Sequence, residues 1–337
     1  MTTATKSSRV DRFNDNGYLI VENLIPGSII DPILKEYEGV LDDLANSLYS
    51  SGEIRSPHGD LSFADRLTRI YEETGRGHNQ NFDFSLPLGA IDRDTPFWAG
   101  PAVFKALIHE PLLDVIEELI GPEIFSNPIQ HVRIKPPEKY LPRNEWDQPI
   151  IGPTIWHQDL GVANESADDS DVITAWFGLT DAPVEMGPLR VIPGSHRTGL
   201  LTHCRDYEGN GPEFRVPYVQ IPERLFQANQ QVPLPTKRGD VVFFHSQTVH
   251  GSLPNLGDEC RISFDLRYNR IGESTGRDIY PGFVARSRAN PQSEFRDPEA
   301  WRRMWTECRD ELAREAEEGR LDYEYSRWKD GHPDCEP

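Results

Sequence analysis

Near Ile124 the chain stops reading as helix and starts reading as strand, and that change limits what it can fold into. From there to about Asn269 it is a succession of short β-type runs: Gln130–Ile134, Val172–Leu179, Leu189–Ile192, Asp240–Phe244 and Cys260–Tyr268. Pro, Gly and Asn separate the runs, which is the pattern of an all-β barrel or sandwich. On either side, apolar residues recur at helical spacing. Ile29, Ile30, Ile33, Leu34, Tyr37, Val40, Leu41, Leu44 and Leu48 form one stripe, with Ser28 placed as N-cap. Leu61, Ala64, Leu67 and Tyr71 form another. Val103 to Leu119 carries two short helices, broken at Pro111 and closed by Gly121. Pro298 to about Gly319 places Trp301, Met304, Trp305, Cys308 and Leu312 on one face. A short polar helix around Val10–Asn14 leads into a strand at Gly17–Val21. The stripes read as core packing. The expected architecture is mainly β with flanking helices on one side, in a single domain spanning 1–337. Residues 1–123 make a mainly helical buttress with one strand, 124–270 the β core and 271–337 a C-terminal helical extension.

Composition narrows the partners. A formal charge of −20 over 337 residues argues against nucleic acid and acidic membrane, both of which require basic patches. No apolar run is long enough to span a bilayer, and the first residues carry no secretory h-region. Cys204, Cys260, Cys308 and Cys335 are scattered without paired spacing. They read as four reduced thiols of a cytoplasmic protein rather than a disulfide framework or a zinc site.

Three segments carry chemistry. In Trp156-His157-Gln158-Asp159, the imidazole and carboxylate are two apart, so on an extended strand they share a face. Together they supply two-thirds of a facial iron site. Taken alone, His-x-Asp is common by chance and also describes a polar loop end. In Asp240–Ser252 a buried strand runs out into a segment with two histidines, His245 and His250, either of which can be an ordinary core or loop residue. In Arg261–Tyr268 an arginine opens an alternating strand, eleven positions after His250. A guanidinium fork suits a carboxylate, and an arginine facing the interior is costly without an anion.

The order His157-x-Asp159, a histidine 91 residues on, then an arginine at plus eleven, resembles the phytanoyl-CoA dioxygenase family of Fe(II)/2-oxoglutarate oxygenases. The likeness extends to Phe13-x-x-x-Gly17-Tyr18, Lys135-Pro136-Pro137 and Gly187–His196, so it covers roughly residues 10–270. It implies a double-stranded β-helix, or jelly roll, of cupin-like form. It implies His157, Asp159 and His250 as catalytic iron ligands, which leaves His245 to packing. It further implies Arg261 as anchor of the 2-oxoglutarate distal carboxylate, with Ser252 as hydroxyl partner and Trp176 beside the co-substrate. His131 falls near a co-substrate-contacting position, and Ser263 adds a hydroxyl in an Arg-x-Ser pattern. Fe(II), 2-oxoglutarate and O₂ are the cofactors and co-substrates implied. Related halogenases replace the carboxylate ligand by a small residue, so Asp159 favours hydroxylation.

The primary substrate is expected to be a small or medium lipophilic metabolite rather than an acyl-CoA, because the acidic chain offers little for a polyanionic handle. The group Arg133, Lys135, Lys139 and Arg143 is the local exception. A non-catalytic binding protein on the same fold and a cupin-type metalloprotein without 2-oxoglutarate are the competing readings; Arg261 discriminates against the latter. A homodimer is left open. Segments Gly75–Pro87 and Thr202–Arg215 read as lid material, with Phe82, Phe84 and Tyr207 available to line a pocket.

Overall fold

The computed structural model describes residues 8–87, 89, 91–145, 147–205, 219–320, 327–328 and 331–335. Helix α1 (Arg9–Asn16) is closed by a capping box at Ser8 and ends at Gly17, whose φ of 78° turns the chain into β1 (Tyr18–Val21). A side chain there would be strained, and it would also meet the His196 ring 2.4 Å away. Helices α2 (Gly27–Ser50), α3 (Phe63–Thr74), α4 (Pro101–Leu107) and α5 (Glu110–Ile120) follow. The expected break between α4 and α5 is present, with Pro111 in the first turn of α5. The cap of α2 is Pro26 rather than Ser28, which lies inside the first turn. Leu61 precedes α3 and is exposed; Ser62 caps that helix by accepting from Asp65 N.

The strands then run β2 (Glu123–Lys135), β3 (Ile173–Gly178), β4 (Leu189–Val191), β5 (Cys204–Arg205), β6 (Val219–Gln220), β7 (Val232–Leu234), β8 (Val241–His245), β9 (His250–Ser252), β10 (Arg261–Arg270) and β11 (Phe283–Ser287), before α6 (Pro298–Glu317). The major sheet has the order β1-β8-β3-β10-β2-β11, and a facing sheet has the order β7-β4-β9. All pairings are antiparallel. This is the jelly roll that the motif order implies. Its sheet takes two strands from outside 124–270: β1, at the expected strand, and β11, which lies in the segment read as a helical extension.

Period-two alternation divides each central strand between two environments. Ile173, Ala175 and Phe177 of β3, Val241 and Phe243 of β8, and Ile262, Phe264, Leu266 and Tyr268 of β10 pack against the helices in the main core. Trp176, Val242 and Phe244 turn the other way and meet Leu189, Val191 and Leu234 of the facing sheet. The remaining inward positions are polar, and they build the site. Phe82 and Phe84 are fully buried in the main core, edge-on to Tyr37 and against Phe264. They are pillars between helices and sheet, not lid residues. Tyr207 and residues 206–215 of the other expected lid lie outside the described residues.

The cysteine reading needs correction. Cys204 and Cys335 form a disulfide across a sequence separation of 131, with Cα atoms 5.4 Å apart. Spacing along the chain cannot reveal such a partner; the tail returns to the β5–β6 hairpin only in the folded protein. Cys260 and Cys308 are free. Thiol titration under denaturing conditions should therefore count two thiols before reduction and four after. A count of four without reductant would remove the bond. None of the described helices is long and apolar enough to cross a membrane.

Candidate metal centre and co-substrate pocket

His157 and His250 are joined by an isolated antiparallel bridge. Each donates its backbone N–H to the other's carbonyl, at 2.9 and 3.0 Å. Paired residues project their side chains to the same face, and the two imidazoles lie with centroids 4.2 Å apart. Each ring uses Nδ1 to hydrogen-bond the carbonyl two residues back, Ile155 O and Thr248 O, both at 2.9 Å. The proton belongs on Nδ1, and Nε2 is left as a lone-pair donor. Asp159 opens a short 3₁₀ turn directly after the bridge. Its Oδ1 lies 3.6 Å from His157 Nε2 and 3.8 Å from His250 Nε2. One donor atom from each of the three residues falls within 4.8 Å of the others, and all three are buried. Two neutral imidazoles and one carboxylate on a common face are the donor set that non-haem Fe(II) takes, with positions left open opposite.

The carboxylate is held from behind. Thr174 Oγ1 donates to Oδ2, and Arg267 donates to Oδ1. Burial opposes a charge on Asp159, but Arg267 and then His250 more than offset it, keeping the carboxyl well below its usual range. Gln158, between the two ligands, is fully buried. Its backbone N–H donates to His203 Nε2 at 2.9 Å, and its side-chain amide donates to Gly199 O and Gln247 O. His203, which carries no motif, thus supports the metal segment.

Burial first, then the neighbouring His157, lowers the pKa of His250 to about 4. Burial likewise lowers His203 to about 3. An unfolded imidazole titrates near 6.5, so as pH falls the unfolded chain takes up protons that the folded protein refuses. The contribution to stability is whole above about 6.5 and is lost progressively down to the folded pKa values. The unfolding free energy of the metal-free protein, from denaturant titrations, should drop steadily from pH 7 to pH 4 by on the order of a few kcal/mol. A flat profile over that window would contradict neutral, buried rings.

Next to the triad lies a pocket lined by Arg133, Thr154, Trp176, Ser252, Arg261 and Asp265, among others. Arg261 is 1% exposed, yet among the described residues no carboxylate pairs with it: Nη1 donates to Ser263 Oγ, and Nε has no hydrogen-bond partner there. Burial lowers its pKa to about 10, which leaves it cationic at neutral pH. Its guanidinium lies 5.6 Å from the centre of the Trp176 ring. Ser252 Oγ accepts from Lys135 Nζ at 2.5 Å and from Thr154 N at 2.7 Å. Gly251 permits this approach, since a Cβ there would lie 2.7 Å from Thr154 O. Lys135 is 5% exposed, and burial, followed by the charges of Arg261 and Arg133, pushes its pKa well down. A buried guanidinium with no hydrogen-bonded carboxylate among the described residues, in a wall that also offers Ser252, describes a receptor for a carboxylate.

The structure therefore brings together His157, Asp159, His250, Arg261, Ser252, Trp176 and Ser263. His131 is the exception. Its ring turns to Asp83, with Nδ1 2.9 Å from Oδ2, and it is not part of the pocket wall. His245 is likewise no ligand; its Nδ1 accepts from Gln247 N, and its ring packs near Phe13 and His196. Lys135, Arg267, Thr174 and Asp265 are additions to the site read from the sequence. Alternation held the signal: Arg261, Ser263, Asp265 and Arg267 are every second residue of β10, and Arg133 and Lys135 of β2.

A jelly roll gathering two histidines and an aspartate beside a buried arginine defines the class of non-haem iron oxygenases that use 2-oxoglutarate. The family model described as phytanoyl-CoA dioxygenase (PhyH) matches residues 13–263, and the chain belongs to that family. Phytanoyl-CoA dioxygenase domain-containing protein 1 of Danio rerio is 26% identical over 274 residues, covering 75% of this chain and 86% of the relative. The phytanoyl-CoA dioxygenase of Arabidopsis thaliana is 24% identical over 283 residues, covering 82% and 92%. Among solved structures, the non-heme monooxygenase ThoJ in its apo form aligns with a TM-score of 0.57 at 16% identity, covering 93% of this chain and all of that one. EvdO2 from Micromonospora carbonacea var. aurantiaca aligns at 0.50 and 18% identity, covering 80% and 94%. These structures share the fold.

Proposed function

We propose that this chain hydroxylates an unactivated C–H bond of a small or medium lipophilic metabolite, consuming 2-oxoglutarate and O₂ and releasing succinate and CO₂. The observation that carries the reading is Arg261, a buried cation with no hydrogen-bonded carboxylate among the described residues, in the wall of the pocket that also reaches His157 and His250. His157, Asp159 and His250 are the residues that would hold Fe(II). Arg261, with Lys135 and Ser252, would take the distal carboxylate of the co-substrate and so fix its orientation toward the triad. Trp176 walls the same pocket and excludes water. Iron, when bound, supplies the O₂ activation that couples decarboxylation to C–H oxidation.

The state of the basic residues favours a metabolite over an acyl-CoA. Arg133 pairs with Asp265, Lys139 with Asp258 and Arg143 with Asp147, while Lys135 is buried against Ser252. They do not form a surface patch open to a polyanion. The test is anaerobic absorption spectroscopy. A weak visible charge-transfer band should appear only when Fe(II) and 2-oxoglutarate are both added. Metallated protein that gives no band would leave a cupin-type metalloprotein or a binding protein as the reading.

A further inference from the structure

We infer that Arg267 is a positioning residue of the metal centre: it clamps Asp159 so that one carboxylate oxygen faces the two imidazoles. The inference rests on the metal centre proposed above. Its origin is an irregularity in the sheet. Along β10, Asp265 is opposite His131 but Arg267 is opposite Asn127, so residues 128–130 of β2 face Leu266 alone. Pro128 has no N–H to give, and the Ile129 N–H turns to Asn127 Oδ1 at 2.9 Å. Asn127 is itself fixed by Asn269 Oδ1 at 3.0 Å and Thr275 O at 3.1 Å. The bulge leaves the Ile129 carbonyl without a strand partner and turns it inward. Arg267 Nη1 donates to it at 3.0 Å, and Nη2 donates to Asp159 Oδ1.

One guanidinium thus spans the bulge and the metal ligand, and it is 5% exposed. Its fork sets the position of the carboxylate against main chain, which a flexible single-point cation cannot do. Thr174 takes the second oxygen, so the two bonds together fix the rotation of the carboxylate. Bulges beside active sites re-aim side chains in this way. Arg267 also lines the pocket beside His157 and His250, but the triad member it hydrogen-bonds is Asp159, and its effect on the metal should travel through that residue.

The test is a double-mutant cycle on metal affinity, read by titrating Co(II) into metal-free protein and following its visible absorption. Arg267→Met should weaken Co(II) binding by about 10- to 100-fold, the usual effect of removing a partner of a metal ligand. The same substitution made in Asp159→Ala protein should change Co(II) binding by less than about threefold, because the residue it acts through is gone. Arg267→Lys keeps the charge but cannot reach both partners, so it should fall between the two. It also carries the cycle if the methionine variant fails to fold. Equal losses in both backgrounds would make Arg267 a general prop of the fold and overturn the inference, as would no loss in either. Wild-type protein that binds no Co(II) would remove the metal centre and this inference with it. A coupled cycle in protein whose Co(II) spectrum ignores 2-oxoglutarate would leave Arg267 in its role and remove the co-substrate instead.

Discussion

Arg261→Ala is expected to weaken 2-oxoglutarate binding by about 30- to 1,000-fold, the equivalent of about 2–4 kcal/mol for truncating one side of a buried charge pair. The size follows from the surroundings of the guanidinium. It is 1% exposed, so little water screens it, and no carboxylate among the described residues hydrogen-bonds it; the nearby Asp265 is paired with Arg133. Lys135 remains nearby, but its Nζ is committed to Ser252 and Thr154, burial opposes its charge, and it offers no fork. Titration of the anaerobic charge-transfer band gives the affinity directly, and KM for 2-oxoglutarate from succinate release gives it independently. Affinity for the metal alone should stay within about twofold, since Arg261 makes no hydrogen bond or ion pair to the triad among the described residues and uncoupled sites behave additively. A variant that keeps wild-type affinity for 2-oxoglutarate would place the carboxylate anchor elsewhere, with Lys135 as the next residue to replace.

His250→Ala is expected to cost on the order of 100- to 1,000-fold in divalent metal affinity and to bring turnover to background. Four-ligand zinc sites reach about 10–16 kcal/mol, or about 3–4 kcal/mol for each ligand. The fold should survive the change. The bonds that tie His250 to His157 are made by main chain, and alanine keeps them. What is lost is the ring, packed 4.4 Å from Phe244 and 4.2 Å from His157 between centroids. Metal content after dialysis and a Co(II) titration measure the loss. A variant that retained stoichiometric metal would point to another third ligand, and His245 is excluded from that role by the bond it accepts from Gln247 N.

Much of this site was legible before the fold was known, and the reason is local. His157 and Asp159 are two apart on extended chain, and Arg261 opens a strand, so their side-chain directions follow from period two. The same rule carried further along β10 reaches Arg267, but an arginine on a strand is usually a surface residue, so alternation alone does not single it out. No local rule predicts the bulge at 128–130, since it is defined by which residues of β10 lie opposite. Phe82 and Phe84 sit in a polar, Gly-containing segment, and only the arrival of α2 and β10 on either side makes them core. The Cys204–Cys335 bond and the entry of β1 and β11 into the major sheet are long-range in the same sense. His131 turns away from the pocket for a reason invisible in β2 itself: Asp83, from the helical third, claims its ring.

The bridge between His157 and His250 has a consequence for how the protein acquires its metal. Two of three ligands are set by reciprocal main-chain bonds, and the third is tied down by Thr174 and Arg267. Protein bonds alone hold the three ligands in place, so loading should need no chain segment to order itself. Added metal then protects the protein against heat or denaturant by mass action alone, growing with the logarithm of its concentration over the dissociation constant. Chelation, by the same logic, returns a folded protein ready to be charged again. The protein behaves as a socket rather than as a chain that folds around its ion.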